Sequence, residues 1–250
     1  MAYGFYLYGI LLRSDLKNIR LQGLDDQPVK TQVIDDFVLL YSEAQQERYL
    51  ASRRNLLGHE KVLEAVMENG HPTLLPLQFG LTAENWESVK ADLIKPYEEG
   101  LKKLLKKLEG NREVSIKVFW NVNDELQLIL ADNESLRNQR DRLEGKQLSM
   151  DEVISIGQRI EQAIADHRQQ IIEVFERALI PLAIDWVEND LLTESMIYNA
   201  AYLIPWDGES LFSQKVDQVD QELGGRLRIR YNNFTAPFNF ANLDQLESED

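Results

Sequence analysis

His71-Pro72-Thr73-Leu74-Leu75-Pro76-Leu77-Gln78-Phe79-Gly80-Leu81 is an apolar run broken by residues that ordinary strands avoid. Proline withholds a ladder hydrogen bond, and glycine contributes no side chain to pack. Pro76 and Gly80 therefore predict a short strand with one disrupted edge, ending in a turn at Gly80. Segments of helical period flank it, from about Glu47 to Glu68 and from Ala83 to Leu108. A strand set between helices makes the chain α+β. The run holds no nucleophile, no acid pair and no set of metal ligands.

Upstream, Tyr3–Leu12 is dense in aromatic and branched residues and predicts the first strand. Val29–Ile34 and Phe37–Ser42 predict two more, joined as a tight hairpin at Asp35-Asp36. Asn69-Gly70 stops the first helix, and Pro96 interrupts or bends the second. Gly110-Asn111 is the best internal boundary.

Beyond it, Val114, Ile116, Val118 and Trp120 alternate along Glu113–Trp120, a strand with one buried face. Charged, weakly helical sequence fills 125–145. Ser149 and Glu152 have capping-box spacing and predict the start of the longest helix. Ile160, Ile164, His167, Ile171, Val174, Ala178 and Leu182 then recur in steps of three and four, a coiled-coil-like stripe. Met196–Ile204 predicts a strand, Glu209–Leu223 a helix stopped by Gly224-Gly225, and Leu227–Tyr231 a last strand. The expected architecture is two α+β domains. Residues 1–110 form a small antiparallel or mixed sheet with helices, and 111–241 a modified ferredoxin-like domain with a long helix. Residues 242–250, with Asp244, Glu247, Glu249 and Asp250, form an acidic tail.

The formal charge of −15 is unevenly placed. Residues 111–250 hold 13 Lys and Arg against 26 Asp and Glu, and residues 1–110 hold 14 against 16. Such a field repels phosphate backbones, so nucleic acid is not an expected partner. Lys102, Lys103, Lys106 and Lys107 flank Leu101, Leu104, Leu105 and Leu108, the wet side of an amphipathic helix. No apolar stretch nears the roughly 20 residues of a membrane span. The start lacks the basic and apolar regions of a secretory signal, and there is no cysteine. A cytosolic protein without lipid-membrane attachment is expected.

Catalytic chemistry finds little purchase. His59-Glu60 resembles the start of a zinc-protease motif, but its helix-mate is Leu63, so no metal is expected. His71 reads as a loop residue. His167 reads as a packed or interface histidine, with no carboxylate evidently placed to orient it. Asp25-Asp26 and Asp35-Asp36 read as turn formers. Phosphate-binding glycine loops and serine nucleophile elbows are absent from the sequence. No catalytic residue, metal or cofactor is assigned, and the chain is not expected to be an enzyme. Arg226, Arg228 and Arg230 alternate, placing three cations on one face of the final strand. They are either an exposed face neutralised by nearby acids or a site for an acidic partner.

Four segments carry a resemblance. Tyr6-Leu7-Tyr8-Gly9-Ile10 opens the chain with Tyr-x-x-Gly, and His59-Glu60-x-Val62-Leu63 is followed by Leu75-Pro76-Leu77-Gln78-Phe79-Gly80. Ser115-Ile116-Lys117-Val118 with Phe119-Trp120, then Tyr202-Leu203-Ile204-Pro205 and Pro237-Phe238-Asn239-Phe240, complete the order. In this order, from about residue 3 to 241, the chain resembles the GvpF/GvpL family of gas vesicle proteins. Asn233-Phe234 departs from the Gly-Pro that members often carry before the final motif; asparagine can adopt the same left-handed turn.

The resemblance implies an accessory protein of gas vesicles, in the cytoplasm and associated with the vesicles. It would be a minor shell component or an assembly factor that binds the hydrophobic major shell protein, with other accessory proteins as further partners. Pro76, Phe79, Gly80, Pro237, Phe238 and Phe240 are its motif residues, as fold-shaping or partner-facing groups. A competing expectation is a helical adaptor or regulatory module that pairs with other accessory proteins through the Ile160–Leu182 stripe.

Overall fold

The structure, a computed structural model, describes residues 3–13, 20–142 and 149–242. Beyond Asn242, the expected acidic tail lies outside the described residues. Two compact units make up the chain. One takes the described residues up to Val114, Tyr202–Glu209 and those from Asn232 on; the other takes Ser115–Ala201 and Ser210–Tyr231. Residues 202–209 and 232–241, which the sequence reading gives to the second domain, group with the first unit. The reason is local: the chain after Asn232 finds its polar and apolar partners there, as described below.

The first unit is built around β1 (Phe5–Leu12), which pairs with β3 (Phe37–Glu43) on one side. On its other side it meets two short strands, β4 (Leu75–Pro76) and β5 (Thr82–Ala83). The hairpin partner β2 (Lys30–Ile34) forms the outer edge, giving the order β2-β3-β1-β4 with every pairing antiparallel. Asp35, at φ 53°, turns the hairpin where Asp35-Asp36 was expected to. The β1–β3 register slips between Leu7 and Gly9, leaving Tyr8 as an extra residue. That bulge lets Tyr6, Tyr8 and Leu11 all enter one core with Val38 and Leu40, despite unequal spacing.

Helix α1 (Arg53–Glu68) closes this core with Val62, Leu63, Val66 and Met67. It begins six residues later than the apolar period suggests, because Ser52 caps it by accepting from the Asn55 N–H. Pro76 does sit in a strand, two residues long. Gly9 opposite it is required: a Cβ there would lie 2.9 Å from the Leu75 carbonyl oxygen. Gly80 takes φ +91°, the left-handed turn that ends the run. The second helical segment comprises α2 (Trp86–Ser88), a π-helical stretch at Val89–Ile94 and α3 (Lys95–Leu108). Pro96 cannot donate to the carbonyl four residues back. The chain answers by widening the preceding turn, so that the Lys95 N–H bonds the carbonyl of Lys90, five residues back.

The second unit follows the order strand, helices, two strands, helix, strand. Its elements are β6 (Asn111–Phe119), α4 (Val122–Asp132), α5 (Glu134–Asp141) and α6 (Met150–Leu179), then β7 (Asp185–Glu188), β8 (Met196–Pro205), α7 (Glu209–Glu222) and β9 (Arg228–Thr235). The antiparallel sheet has the order β7-β8-β6-β9. β7 was not expected: four residues at a sheet edge, partly exposed, leave no alternation to read. α6 opens with the expected capping box, Ser149 and Glu152 satisfying each other's backbone N–H groups. Its expected stripe is packed within the unit as far as Ile171, after which the buried face shifts to Phe175 and Leu179 and leaves Val174, Ala178 and Leu182 half-buried. Ile160, Ala163 and Ile164 pack against Ile129, Leu130 and Leu136 of α4 and α5, while Ile171, Phe175 and Leu179 are buried farther along. The adaptor expectation thereby loses the Ile160–Ile171 part of the surface it needs.

Candidate functional site

The His59 ring, 2% exposed, sits where three motif segments meet. Its Nε2 lies 3.1 Å from the Leu77 carbonyl oxygen, which can only accept, so Nε2 carries the proton. Nδ1 then accepts from the Tyr6 hydroxyl at 2.8 Å. That hydroxyl in turn accepts the Gly80 N–H at 3.1 Å. Burial lowers the His59 pKa to about 4, against a smaller raising effect of the Leu77 carbonyl, so the ring stays neutral. Burial likewise pushes the Tyr6 phenol up. Phe79 stands edge-on to His59 at 5.8 Å, and Phe238 approaches it at 6.2 Å. Pro76, Phe79 and Gly80 are thus parts of a fixed, uncharged knot joining β1, α1 and the turn after β4. Both ring nitrogens of His59 are engaged, and no group of acids and histidines suited to a metal occurs among the described residues.

The Pro237-Phe238-Asn239-Phe240 segment divides by residue. Pro237 and Phe240 are buried, with the Lys107 ammonium 5.8 Å from the Phe240 ring, while Phe238 is 39% exposed. Asn239 explains the anchoring, and sequence reasoning passed over its partner. Glu113, 2% exposed on β6, accepts the Asn239 backbone N–H at 3.0 Å and its side-chain amide at 2.6 Å. Burial raises the Glu113 pKa to about 7, and the two Asn239 bonds only partly offset it. Just upstream, the Thr235 hydroxyl donates to Glu60 at 3.2 Å.

The three arginines do not act together. Arg226 precedes β9, and its Nε donates to the buried Glu125 carboxylate at 2.8 and 3.1 Å. Glu125 also takes the His167 Nε2 at 2.8 Å, supplying the orienting carboxylate that the sequence did not reveal. Arg228 and Arg230 lie on β9, their guanidinium carbons 4.4 and 5.1 Å from the Phe119 ring centroid. Among the described residues no carboxylate pairs with either.

One surface lay beyond the motif reading. A groove of about 390 Å³ runs beside β5 and the π-helical turn. Leu7, Leu81, Val89 and Leu93 give it apolar walls, and Glu84 and Asp92 stand on its lining. A π turn frequently marks a working position. The sequence signal for it was Pro96, read as an interruption or a bend of the helix.

Among the described residues no helix is long and apolar enough to cross a membrane. Comparison with known proteins places relatives over nearly the whole chain. The chain is 54% identical over 244 residues to gas vesicle protein F of Dolichospermum flosaquae, covering 98% of this chain and 100% of that protein. It is 54% identical over 243 residues to gas vesicle protein F of Nostoc sp., covering 97% and 100%. The crystal structure of GvpF from Anabaena sp. PCC7120 superposes with a TM-score of 0.84 at 51% identity, over 96% of each chain. That of GvpF from Microcystis aeruginosa gives 0.83 at 53% identity, over 96% of this chain and 99% of the other. With residues 4–242 matching the family Gas vesicle synthesis protein GvpL/GvpF, the chain belongs to that family.

Proposed function

We propose that this chain acts in the cytoplasm during gas vesicle formation by holding the hydrophobic major shell protein, as a minor shell component or as an assembly factor. The groove beside the π-helical turn is the observation that carries this reading. Burying one large apolar side chain is worth roughly 1.5–3 kcal/mol. A groove sized for one or two such side chains gives a hold that can be released when the subunit joins the shell. Glu84, Asp92 and the formal charge of −15 keep a complex with an apolar partner in solution. The family role supports a part in vesicle formation, and other accessory proteins are further candidates for the same groove. No reaction is assigned to the chain.

Capture of purified major shell protein by the tagged chain tests this. Wild type is expected to retain it, and Leu81→Asp and Leu93→Asp each to retain at least tenfold less while keeping the native circular dichroism spectrum. Undiminished capture by both variants would remove the groove from the proposal. No capture by folded wild type would overturn shell-protein binding itself.

A further inference from the structure

The cluster Arg228–Phe119–Arg230 lies in the second unit, and its argument does not depend on the groove. Arg228 and Arg230 occupy alternate positions of β9, so their side chains share one face of the sheet, about 6.6 Å apart along the strand. Both guanidiniums rest over the single Phe119 ring. Lys117, two residues before Phe119 on β6, falls on the same face by alternation. Three cations thus gather in a unit that is otherwise strongly acidic. The arginine pair has no carboxylate partner among the described residues, although residues 111–250 hold 26 Asp and Glu.

Two like charges held side by side repel, and the cation–π contacts offset that only in part. Those contacts also hold both guanidiniums beside the ring, which lowers the side-chain entropy to be lost when an anion binds. A second, independent feature points the same way. β9 is the terminal strand of the order β7-β8-β6-β9, so among the described residues its outer edge has no neighbouring strand. A chain segment added there in extended form presents every second side chain to one face, at the same spacing as the two arginines.

We infer that Arg228 and Arg230 form a receptor for an acidic, extended protein segment that adds to the β9 edge and sets two alternating carboxylates on the two guanidiniums. Nucleic acid fits less well. Phe119 is 6% exposed and has its face covered by arginine, leaving no platform for a base. The net negative field opposes a long polyanion, whereas a short segment engages the pair within about 8 Å, the screening length at physiological salt.

The test titrates isotopically labelled full-length chain with a capped nonapeptide alternating Glu and Thr, reading the Arg Nε–Hε signals by NMR at low salt. Saturable shifts confined to Arg228, Arg230 and the β9 amides are expected. Affinity should fall at least tenfold in Arg228→Gln/Arg230→Gln, and no binding is expected for the peptide with Gln in place of Glu. An intermediate affinity is expected for Arg228→Lys/Arg230→Lys, which keeps charge but loses the planar fork. Equal binding of the Glu and Gln peptides to wild type overturns the inference without recourse to any variant. So does an unchanged affinity in a folded Gln variant, or stronger binding of an oligothymidylate to the same signals.

Discussion

Tyr6 and His59, 53 residues apart, share a 2.8 Å hydrogen bond whose direction is fixed by their neighbours. The Leu77 carbonyl takes the one proton of the neutral imidazole, and the Gly80 N–H occupies the phenol oxygen as acceptor. The tyrosine must therefore donate. A first strand, the first helix and the turn after β4 are joined by one chain of hydrogen bonds without any net charge.

Tyr6→Phe keeps the ring and removes the relay. His59 Nδ1 and the Gly80 N–H then lose a buried partner, at about 1–3 kcal/mol for each group left unsatisfied. The expected loss is on the order of 3 kcal/mol in urea unfolding. A loss under about 0.5 kcal/mol, comparable with an ordinary surface change, would show that the bonds are incidental to the aromatic packing.

The His59 and Glu113 shifts give opposite pH dependences. His59 titrates near 4 in the fold, below its ordinary 6.5, so its contribution is present above about pH 6.5 and is lost as pH falls towards 4. Glu113 titrates near 7, above its ordinary 4.5, so its contribution is full below about pH 4.5 and is lost as pH rises to 7. Each amounts to roughly 3 kcal/mol by linkage, and the two slopes nearly cancel between pH 4.5 and 6.5. Glu113→Gln should unmask the His59 slope, so that its stability relative to wild type climbs by about 3 kcal/mol from pH 4.5 to 7. Denaturant unfolding at several pH values measures this; parallel curves for the two proteins would refute it.

What the sequence disclosed and what it hid separate by range. Ser149 and Glu152 are three residues apart, and their capping box was legible because both partners sit in one turn. The α6 stripe was legible as far as Ile171 for the same reason, since helical period is local; beyond it the buried face runs through Phe175 and Leu179 instead of Val174, Ala178 and Leu182. Glu125, which orients His167 from 42 residues away, and Glu113, which anchors Asn239 from 126 away, left no local mark. One acid among 42 is not singled out until the fold brings its partner to it. The arginine alternation was real, but it ran one residue pair too far: Arg226 lies before β9, where Glu125 holds it. Pro96 announced an interruption, and only the backbone shows that a π turn, not a break, resolves it.

Glu125 itself makes a sharp test. It is 2% exposed and serves two donors, Arg226 and His167. Removing the shared carboxylate leaves the partly buried Arg226 without its counter-charge. Glu125→Leu should therefore cost about 3–5 kcal/mol, the range for breaking a buried pair from one side. Arg226→Leu/Glu125→Leu should recover part of that loss, because no uncompensated charge remains. A double variant no more stable than the single would place the cost in packing rather than in charge.

Two glycines of the motif segments separate backbone conformation from space. Gly80 has φ +91°, yet a Cβ added there meets nothing within 4 Å. Gly80→Ala should then cost only the left-handed strain, about 1–2 kcal/mol. Gly9 is the reverse case. It lies opposite Pro76 in the β1–β4 pairing, and its Cβ would press on the Leu75 carbonyl at 2.9 Å and on Leu63 at 3.1 Å. Backbone does not yield as a flexible side chain does, so Gly9→Ala must push β4 away from β1. The Leu77 N–H, bonded to the Tyr8 carbonyl at 2.9 Å, reports that separation. Its hydrogen exchange should accelerate at least tenfold more in Gly9→Ala than in Gly80→Ala. Equal protection in the two would mean that the short Pro76 strand is held by its side chains, not by its place beside Gly9.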